Sequence, residues 1–428
     1  MQHWSVDEWL SYLEAIHPTE IEMGLARISA VAESLQCLKP APLVILVGGT
    51  NGKGTTSALI AALLRAQGMS VGVYNSPHIH RYNERVSVDG CDITDDDLLR
   101  SFHAVEAARS STIFPTQDST PATPTLTYFE FGTLAALWHF AQQPLDAVVL
   151  EIGLGGRLDA VNIVDADISV VTSIGLDHQA WLGDTTAEIA YEKCSIARPG
   201  KWLVCGQPDA PAEAEATVEA LNGRFASRGG MFDVLISGKG LDVQFTQEGA
   251  PQAIHVTGYH IPHHNVATAI QALALIDQLP EEPVVNNTVA GLRVPGRWQS
   301  WQRGDQTLVL DVAHNPQAAA YLRNHVARVD CLVLGMLEDK DVAGVLHALP
   351  VADKIYTVTL KGWRGLTAEA LAEKCESAGF TPAATFETMA AALEDIPVAG
   401  TTLVAGSFHT VEAAGEYIHS GEGKWNSI

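Results

Sequence analysis

The stretch that decides the fold reads Val44-Ile-Leu-Val-Gly48-Gly-Thr-Asn-Gly-Lys53-Gly-Thr-Thr56. An apolar run typical of a strand leads into a glycine-rich turn, and an apolar helical pattern follows. This order is typical of a phosphate-binding loop, in which backbone N–H groups and a helix N-terminus surround an anion. Lys53 would supply charge to the phosphates of ATP or GTP, and Thr55 or Thr56 a hydroxyl near the metal. Gly54 separates that lysine from the hydroxyls, so the spacing is unusual, and the alternative is an ordinary glycine-rich turn.

The composition narrows the class of protein. A chain of 428 residues predicts two domains or three. Its 26 basic and 50 acidic residues give a net charge of −24, which argues against nucleic acid or an anionic membrane as a partner. The six cysteines are scattered without a CxxC pair, and the N-terminal residues resemble no secretory leader. We therefore expect a cytoplasmic protein with reduced thiols.

Polar residues follow three further predicted strands. The strands are expected at 71–74, 147–152 and 168–174, and the polar residues are Ser76, Glu151 and His178. Because the carboxyl ends of parallel strands form the ligand-binding edge of an α/β sheet, we expect these side chains to meet beside the phosphate loop.

The alternation of strands and helices predicts an α/β fold with two domains. An N-terminal phosphate-loop ATPase domain with a mostly parallel sheet is expected over residues 1–295. A smaller, doubly wound α/β domain is expected over residues 296–428, beginning with a strand at 307–311. The pattern also predicts helices over 5–16 and 20–38, a loop over 110–127, and irregular structure with β-hairpins over 209–251.

Together the motifs resemble the folylpolyglutamate synthase family of the Mur ligase superfamily, most closely its bacterial bifunctional dihydrofolate synthase/folylpolyglutamate synthase branch. The likeness runs in order from about Trp9 to Val411. It rests on Gly49-Thr-Asn-Gly-Lys-Gly-Thr55, Ser76-Pro-His78, Leu126-Thr-Tyr-Phe-Glu130, Glu151-Ile-Gly-Leu-Gly-Gly-Arg-Leu-Asp159, Asp177-His178, Glu192-Lys193, Pro295-Gly-Arg297, Asp311-Val-Ala-His-Asn-Pro316, Gly335-Met-Leu-Glu-Asp-Lys-Asp341 and Gly406-Ser-Phe-His-Thr410.

The resemblance implies an ATP-dependent ligase that joins L-glutamate to a pterin carboxylate through an acyl phosphate. Lys53, Glu151, His178 and Lys193 are the catalytic residues it implies. Ser76, Glu151 and His178 would bind Mg²⁺, with two metal sites expected. Lys193 would join them as a carbamylated, carboxylate-like side chain; in isolation it is a surface lysine paired with Glu192. Cys194-Ser195 replaces the family's usual Ala-Gly at this point.

The resemblance also implies two groups of binding residues. Those for ATP are Thr50, Asn51, Gly52, Lys53, Gly54, Thr55, Asn265, Arg297, Asp311 and His314, in a cleft between the domains. Those for the pterin substrate are Glu22, Met23, Gly24, Leu25, Thr127, Tyr128, Phe129, Glu130, Leu158, Asp159 and Ala160. The substrates implied are dihydropteroate, reduced folates and L-glutamate, and the family suggests a monomer.

Three alternatives stay open at this point. The first is a ligase with folylpolyglutamate synthase activity alone. The second is a Mur-type ligase acting on a nucleotide-linked peptide, against which the Thr-Tyr-Phe-Glu and Ser-Pro-His segments argue. The third is a phosphate-loop regulatory switch, which would need an Asn-Lys-x-Asp base-reading motif, and the sequence contains none.

Overall fold

The computed structural model describes residues 3–19, 21–115, 121–362, 364–421 and 424–428. The chain forms two compact units, Met1–Leu292 and Arg293–Ile428. Our boundary after residue 295 lies three residues beyond this division, and its meaning as a boundary between functional domains stays a prediction. No helix in these described ranges is long and apolar enough to cross a membrane.

The first unit contains helices α1–α10 and strands β1–β13. The helices are α1 Val6–Ala15, α2 Ala26–Leu35, α3 Lys53–Ala66, α4 Asp95–Ser111, α5 Tyr128–Ala141, α6 Gln179–Leu182, α7 Thr186–Cys194, α8 Ala212–Ala220, α9 His263–Ala274 and α10 Glu282–Gly291. The strands are β1 Leu43–Gly48, β2 Val71–Tyr74, β3 Val86–Val88, β4 Cys91–Asp92, β5 Phe114–Pro115, β6 Pro121–Ala122, β7 Ala147–Glu151, β8 Ile168–Val171, β9 Trp202–Cys205, β10 Arg224–Ser227, β11 Asp233–Ser237, β12 Gly240–Gln247 and β13 Ala250–Thr257.

An eight-stranded sheet in the order β10-β9-β8-β1-β7-β2-β3-β4 organises this unit. The strands from β10 to β2 are parallel, and β3 and β4 add an antiparallel edge. The central strands β1 and β7 are buried along almost their whole length, as expected for a parallel sheet covered on both faces. Strands β11–β13 form a separate antiparallel sheet. The mostly parallel sheet predicted for the N-terminal part of the chain is therefore confirmed.

The second unit contains helices α11–α15 and strands β14–β20. They are β14 Gln299–Arg303, β15 Gln306–Leu310, α11 Pro316–His325, β16 Arg328–Leu334, α12 Val342–Ala348, β17 Val351–Val358, α13 Ala368–Ser377, β18 Ala384–Phe386, α14 Met389–Asp395, β19 Gly400–Ala405, α15 Phe408–His419 and β20 Asn426–Ser427. The sheet order is β18-β17-β16-β19-β15-β14-β20, parallel from β18 to β15. The second α/β domain is confirmed.

Several predicted boundaries need correction. The expected helix over 20–38 is shorter, since α2 begins at Ala26 and residues 21–24 form a wall of the cavity described below. The expected strand over 168–174 ends at Val171, because Thr172 turns its hydroxyl to the phosphate loop. In 209–251 the hairpins are present, but α8 was missed despite its alanine- and glutamate-rich sequence, which favours a helix. Of the loop expected over 110–127, residues 116–120 lie outside the described residues.

Candidate active site

The phosphate loop lies between β1 and α3, at the carboxyl edge of the central sheet. Two glycines adopt positive φ values, 138° at Gly49 and 86° at Gly52. A Cβ at Gly49 would lie 2.0 Å from the hydroxyl of Thr172, so the close approach of backbone and side chain excludes larger residues. Helix α3 begins at Lys53, which places its free N–H groups and dipole at the loop.

The segment after β8 holds this loop in shape. The Thr50 hydroxyl donates to the carbonyl of Gly175 at 3.1 Å and accepts from its N–H at 3.0 Å. The Asn51 N–H donates to Ser173 Oγ at 2.9 Å, and Thr172 Oγ1 donates to the Asn51 carbonyl at 2.7 Å. The sequence analysis did not predict that Thr172 and Ser173 hold the phosphate loop in place. The sequence feature that could have indicated it is the Thr-Ser pair directly after the buried strand β8.

Asn265 lies against the loop from helix α9. A Cβ on Gly52 would be 2.7 Å from its Oδ1 and 2.9 Å from its Nδ2. The Asn265 side chain is 1% exposed, and neither amide atom has a hydrogen-bond partner within the described structure. Since buried polar atoms are normally hydrogen-bonded, this amide is available to a ligand in the phosphate loop. Asn265 therefore lies beside the phosphate loop, and its role in binding ATP stays a prediction.

Glu151 and Ser76 meet beside the same loop. The backbone N–H of Ser76 donates to Glu151 Oε2 at 3.1 Å, and that oxygen would lie 3.6 Å from a Cβ on Gly54. Glu151 is 4% exposed. A carboxylate and a serine hydroxyl are oxygen ligands of the kind Mg²⁺ prefers, so these two residues fit the predicted metal.

His178 has a different environment from Glu151. Its side chain is exposed, and its backbone has a left-handed φ of 52° at the start of the short helix α6. The expected strand end next to His178 is absent, since β8 stops seven residues earlier. No cluster of three His, Cys, Asp or Glu side chains suited to a metal occurs among the described residues. Of the four predicted metal ligands, only Glu151 and His178 are residues of these types. The absence of a three-residue cluster therefore does not test the metal site, which stays a prediction.

Lys193 is buried in α7, with 4% of its surface exposed. Burial and the neighbouring charge of Lys53 lower the pKa of its amine to about 7, although Asp177 opposes that shift. Glu192 pairs instead with Arg157, with 2.8 Å between Oε1 and Nη2. The alternative of a surface lysine paired with Glu192 is therefore wrong.

A cavity of about 240 Å³ opens beside Ser76. Nine of the eleven residues predicted for the pterin substrate line it, together with Ser76, which was predicted as a metal ligand, and five residues that sequence reasoning did not assign to the site. The predicted residues on its wall are Glu22, Met23, Gly24, Thr127, Phe129, Glu130, Leu158, Asp159 and Ala160, and the additional ones are Ile21, Ser76, Pro77, Arg85, Gly153 and Leu154.

Two of the predicted substrate residues do not line this cavity. Leu25 precedes helix α2, and Tyr128 packs edge-on against Tyr82, with ring centroids 5.7 Å apart. Both residues are next to wall residues in the sequence, and consecutive residues at a helix start face different directions.

Polar contacts fix the cavity walls. Glu130 forms a capping box with Thr127 at the start of α5 and accepts from Arg27 Nη2 at 3.1 Å. Arg27 also pairs with Glu22, which joins the 21–24 segment to α5. The Phe129 ring stacks on Tyr74, with centroids 6.1 Å apart.

The Asp159 carboxylate closes the loop after β7. It accepts from the N–H groups of Leu154 at 2.8 Å and Val161 at 2.9 Å. Burial raises the pKa of this carboxyl to about 6, although the backbone donors oppose that shift. Its two oxygens are therefore occupied by the protein itself.

In the second unit, Arg297, Asp311 and His314 gather at the carboxyl end of β15. The Asp311 carboxylate accepts from the N–H groups of Trp298 and Ala313, each at 2.9 Å. The Arg297 guanidinium lies 5.2 Å from the centre of the Phe408 ring, and the His314 ring is 6.3 Å from the same ring. Burial raises the pKa of Asp311, and Arg297 counteracts this.

Two family models match the chain, one in each compact unit. Residues 47–204 match the Mur ligase middle domain, and residues 296–408 match the Mur ligase glutamate ligase domain. The chain is 41% identical over 419 residues to the dihydrofolate synthase/folylpolyglutamate synthase of Escherichia coli K12, covering 96% of this chain and 94% of that protein.

Solved structures are similar over nearly the whole chain. E. coli FolC in complex with DHPP and ADP has a TM-score of 0.87 and 39% identity, covering 98% of both chains. The bifunctional folylpolyglutamate synthase/dihydrofolate synthase of Yersinia pestis CO92, complexed with AMPPNP and a Mn ion, has a TM-score of 0.86 and 38% identity, covering 97% of this chain and 98% of the other. The chain thus belongs to the dihydrofolate synthase/folylpolyglutamate synthase family of Mur-type ligases.

Proposed function

We propose that this chain is an ATP-dependent ligase that adds L-glutamate to 7,8-dihydropteroate and to tetrahydrofolate glutamates. The observation that carries the proposal is the contact of Ser76 with Glu151. Ser76 lines the cavity, while Glu151 lies against the phosphate loop. A substrate carboxylate at the Ser76 end of the cavity would therefore lie close to the terminal phosphate of ATP. The names of the relatives support the same activity.

The reaction proceeds in two steps. A carboxylate oxygen of the pterin substrate attacks the γ-phosphorus, and the bond between that phosphorus and ADP breaks. The amine of L-glutamate then attacks the acyl carbon, the carbon–oxygen bond to phosphate breaks, and the nitrogen loses its proton. Neither step needs a protein nucleophile, so the residues contribute charge and alignment.

Lys53 and the N-terminus of α3 stabilise the phosphates of ATP. The Asn265 amide, buried without a partner among described residues, supplies hydrogen bonds to the nucleotide. Arg297, Asp311 and His314 are also proposed to bind nucleotide. Thr127, Phe129 and Ala160 form the wall for the pterin ring, and Phe129 stacks on it.

Ser76 and Glu151 would hold Mg²⁺, with His178 and a carbamylated Lys193 at a second site. When bound, the metal neutralises phosphate charge and aligns the reacting oxygens. The pKa of about 7 at Lys193 supports carbamylation, because only the neutral amine reacts with CO₂. We further propose that the enzyme acts as a monomer. We also propose that it acts in the cytoplasm, and the free cysteines of the described residues support this location.

Phosphate release in the presence of ATP, Mg²⁺ and L-glutamate tests the function. Dihydropteroate and a tetrahydrofolate monoglutamate are supplied in separate reactions. We expect turnover with both. Turnover with the folate alone would show that the enzyme is a folylpolyglutamate synthase without dihydrofolate synthase activity. Turnover with neither substrate would favour a Mur-type ligase that acts on a peptide. A Lys53→Ala variant, which lacks the phosphate-loop charge, serves as the background control.

A further inference from the structure

Arg85 is a buried cation on the wall of the cavity. It ends the short 3-10 helix Tyr82–Arg85, and its side chain is 9% exposed. Its Nε donates to His78 Nδ1 at 2.8 Å. Its guanidinium carbon lies 5.2 Å from the ring centre of Tyr82 and 5.6 Å from that of Tyr128. These contacts hold the guanidinium in one orientation.

The groups around this guanidinium are neutral. Burial raises the pKa of Tyr74 and of Tyr82, and it raises the pKa of Tyr128 to about 12. The His78 imidazole accepts the Arg85 Nε–H at Nδ1 and supplies no negative charge. The contacts of Arg85 therefore orient its positive charge without neutralising it.

The three carboxylates of the cavity are occupied elsewhere. Glu22 and Glu130 both pair with Arg27. Asp159 accepts from backbone N–H groups. Within the part of the chain that the structure describes, Arg85 forms no ion pair. The cavity thus contains one buried cation without a counter-ion, in a chain whose net charge is −24.

A buried charge is costly unless an opposite charge accompanies it, and an arginine fork matches the two oxygens of a carboxylate. We propose that Arg85 binds a carboxylate of the acceptor substrate in this cavity, an inference that rests on the proposed function. Its Nε donates to His78 and its side chain also hydrogen-bonds the Tyr74 hydroxyl, so the remaining guanidinium N–H groups are the ones that meet the ligand. Arg85 is then the residue that distinguishes a pterin bearing a carboxylate from a pterin without one.

The carboxylate has two sources among the proposed substrates. Dihydropteroate carries one, at the aminobenzoyl end, and this is the group that reacts with ATP. A tetrahydrofolate monoglutamate carries an α- and a γ-carboxylate beyond that position. Binding of both ligands, measured separately, identifies which carboxylate Arg85 contacts.

The experiment is calorimetric titration of dihydropteroate, tetrahydrofolate monoglutamate and 7,8-dihydropterin, which lacks a carboxylate, into wild type, Arg85→Met and Arg85→Lys. We expect Arg85→Met to weaken binding of at least one carboxylate ligand on the order of 10- to 100-fold, as for loss of a charge-assisted hydrogen bond. Dihydropterin binding should be unchanged, and Arg85→Lys should recover part of the loss. Arg81→Met is the matched control, because Arg81 lies in the same segment with its side chain 66% exposed.

A loss with dihydropteroate alone assigns Arg85 to the aminobenzoyl carboxylate, and a loss with the folate alone assigns it to a glutamyl carboxylate. A loss with both ligands means that the carboxylates of the two substrates occupy the same position beside Arg85. An equal loss with dihydropterin, or no loss with either carboxylate ligand, would overturn the proposal. ATP affinity and thermal stability of each variant report whether it is folded. Because binding is measured without turnover, the result is independent of whether wild type releases phosphate.

Discussion

The carboxylate of Glu151 accepts a 3.1 Å hydrogen bond from the backbone N–H of Ser76. The contact joins the end of β7 to the segment after β2, two strands that are neighbours in the central sheet. Since the same carboxylate oxygen lies against Gly54, the phosphate loop, the acidic residue and the cavity edge form one continuous site.

Replacement of Glu151 should separate the metal-dependent chemistry from folding. Glu151→Gln keeps an oxygen that can accept from Ser76 but removes the charge, so the fold should persist. We expect turnover to fall on the order of 10²- to 10³-fold, as when a charge-stabilising group is removed from an active site. The measurement is phosphate release against Mg²⁺ concentration, with thermal unfolding as the check on structure. Normal Mg²⁺-dependent turnover would exclude Glu151 as a metal ligand, and His178→Asn tests the second proposed ligand in the same way.

Gly52→Ala should abolish nucleotide binding. The new Cβ would lie 2.7 Å from Asn265 Oδ1, at a φ of 86° that alanine disfavours by about 1–2 kcal/mol. Gly68→Ala is a matched control, because Gly68 has a φ of 85° and open space around its Cβ position. Both variants should lose similar backbone stability in urea unfolding, but only Gly52→Ala should lose ATP affinity in titration. Equal ATP affinity in the two variants would show that the contact with Asn265 is unimportant.

Asn265→Ala should weaken ATP binding with little loss of stability. Neither amide atom has a hydrogen-bond partner in the described structure, so the substitution removes no hydrogen bond from the folded protein and relieves an unsatisfied buried amide. Its lost van der Waals contacts offset part of this gain. We expect ATP affinity to drop about tenfold or more, the effect of one or two hydrogen bonds. A large fall in the urea midpoint with unchanged ATP affinity would mean that the amide has a structural role.

Much of the fold could be predicted because local sequence and tertiary packing favour the same structure. Ser5 was expected to begin the first helix, and it does so with a full capping box to Glu8. Helix α11 begins at Pro316, since proline is well suited to the first turn of a helix. These signals lie within a few residues of the element that they determine.

The parts of the site that were missed depend on contacts distant in sequence. Arg85 directly precedes β3, and nothing nearby in the sequence indicates that tyrosines from β2 and α5 enclose it. The burial of Lys193 likewise depends on packing between elements, whereas its neighbour Glu192 suggested a surface pair. The family likeness identified the lysine, but its lowered pKa has a cause visible only in three dimensions.

Asp159 should make stability depend on pH in the acid range. Its pKa is raised from 3.8 to about 6 in the folded state, so the folded protein binds the proton more tightly than the unfolded chain. Its contribution to stability is therefore complete below pH 3.8 and is lost as the pH rises through 6. Between pH 7.5 and pH 5, wild type should gain about 1.4 kcal/mol of unfolding free energy relative to Asp159→Asn. Urea unfolding of both proteins at the two pH values measures it, and a constant difference would contradict the raised pKa.

Lys193 should take up CO₂ with a pH dependence set by its own amine. The neutral nitrogen attacks the carbon of CO₂, an N–C bond forms, and the proton leaves to water, which gives an anionic carbamate. Because the pKa is about 7, the reactive neutral form grows as the pH rises from 6 to 8, whereas an exposed lysine near 10.5 stays protonated there. We expect a carbamate resonance in ¹³C NMR with ¹³CO₂ that increases over this range and is absent in Lys193→Arg. Lys201→Arg is the control, since Lys201 is about half exposed and pairs with Asp167. A carbamate signal that persists in Lys193→Arg but disappears in Lys201→Arg would show that Lys201 is the modified residue. Lys193 would then not be a ligand of the proposed metal site.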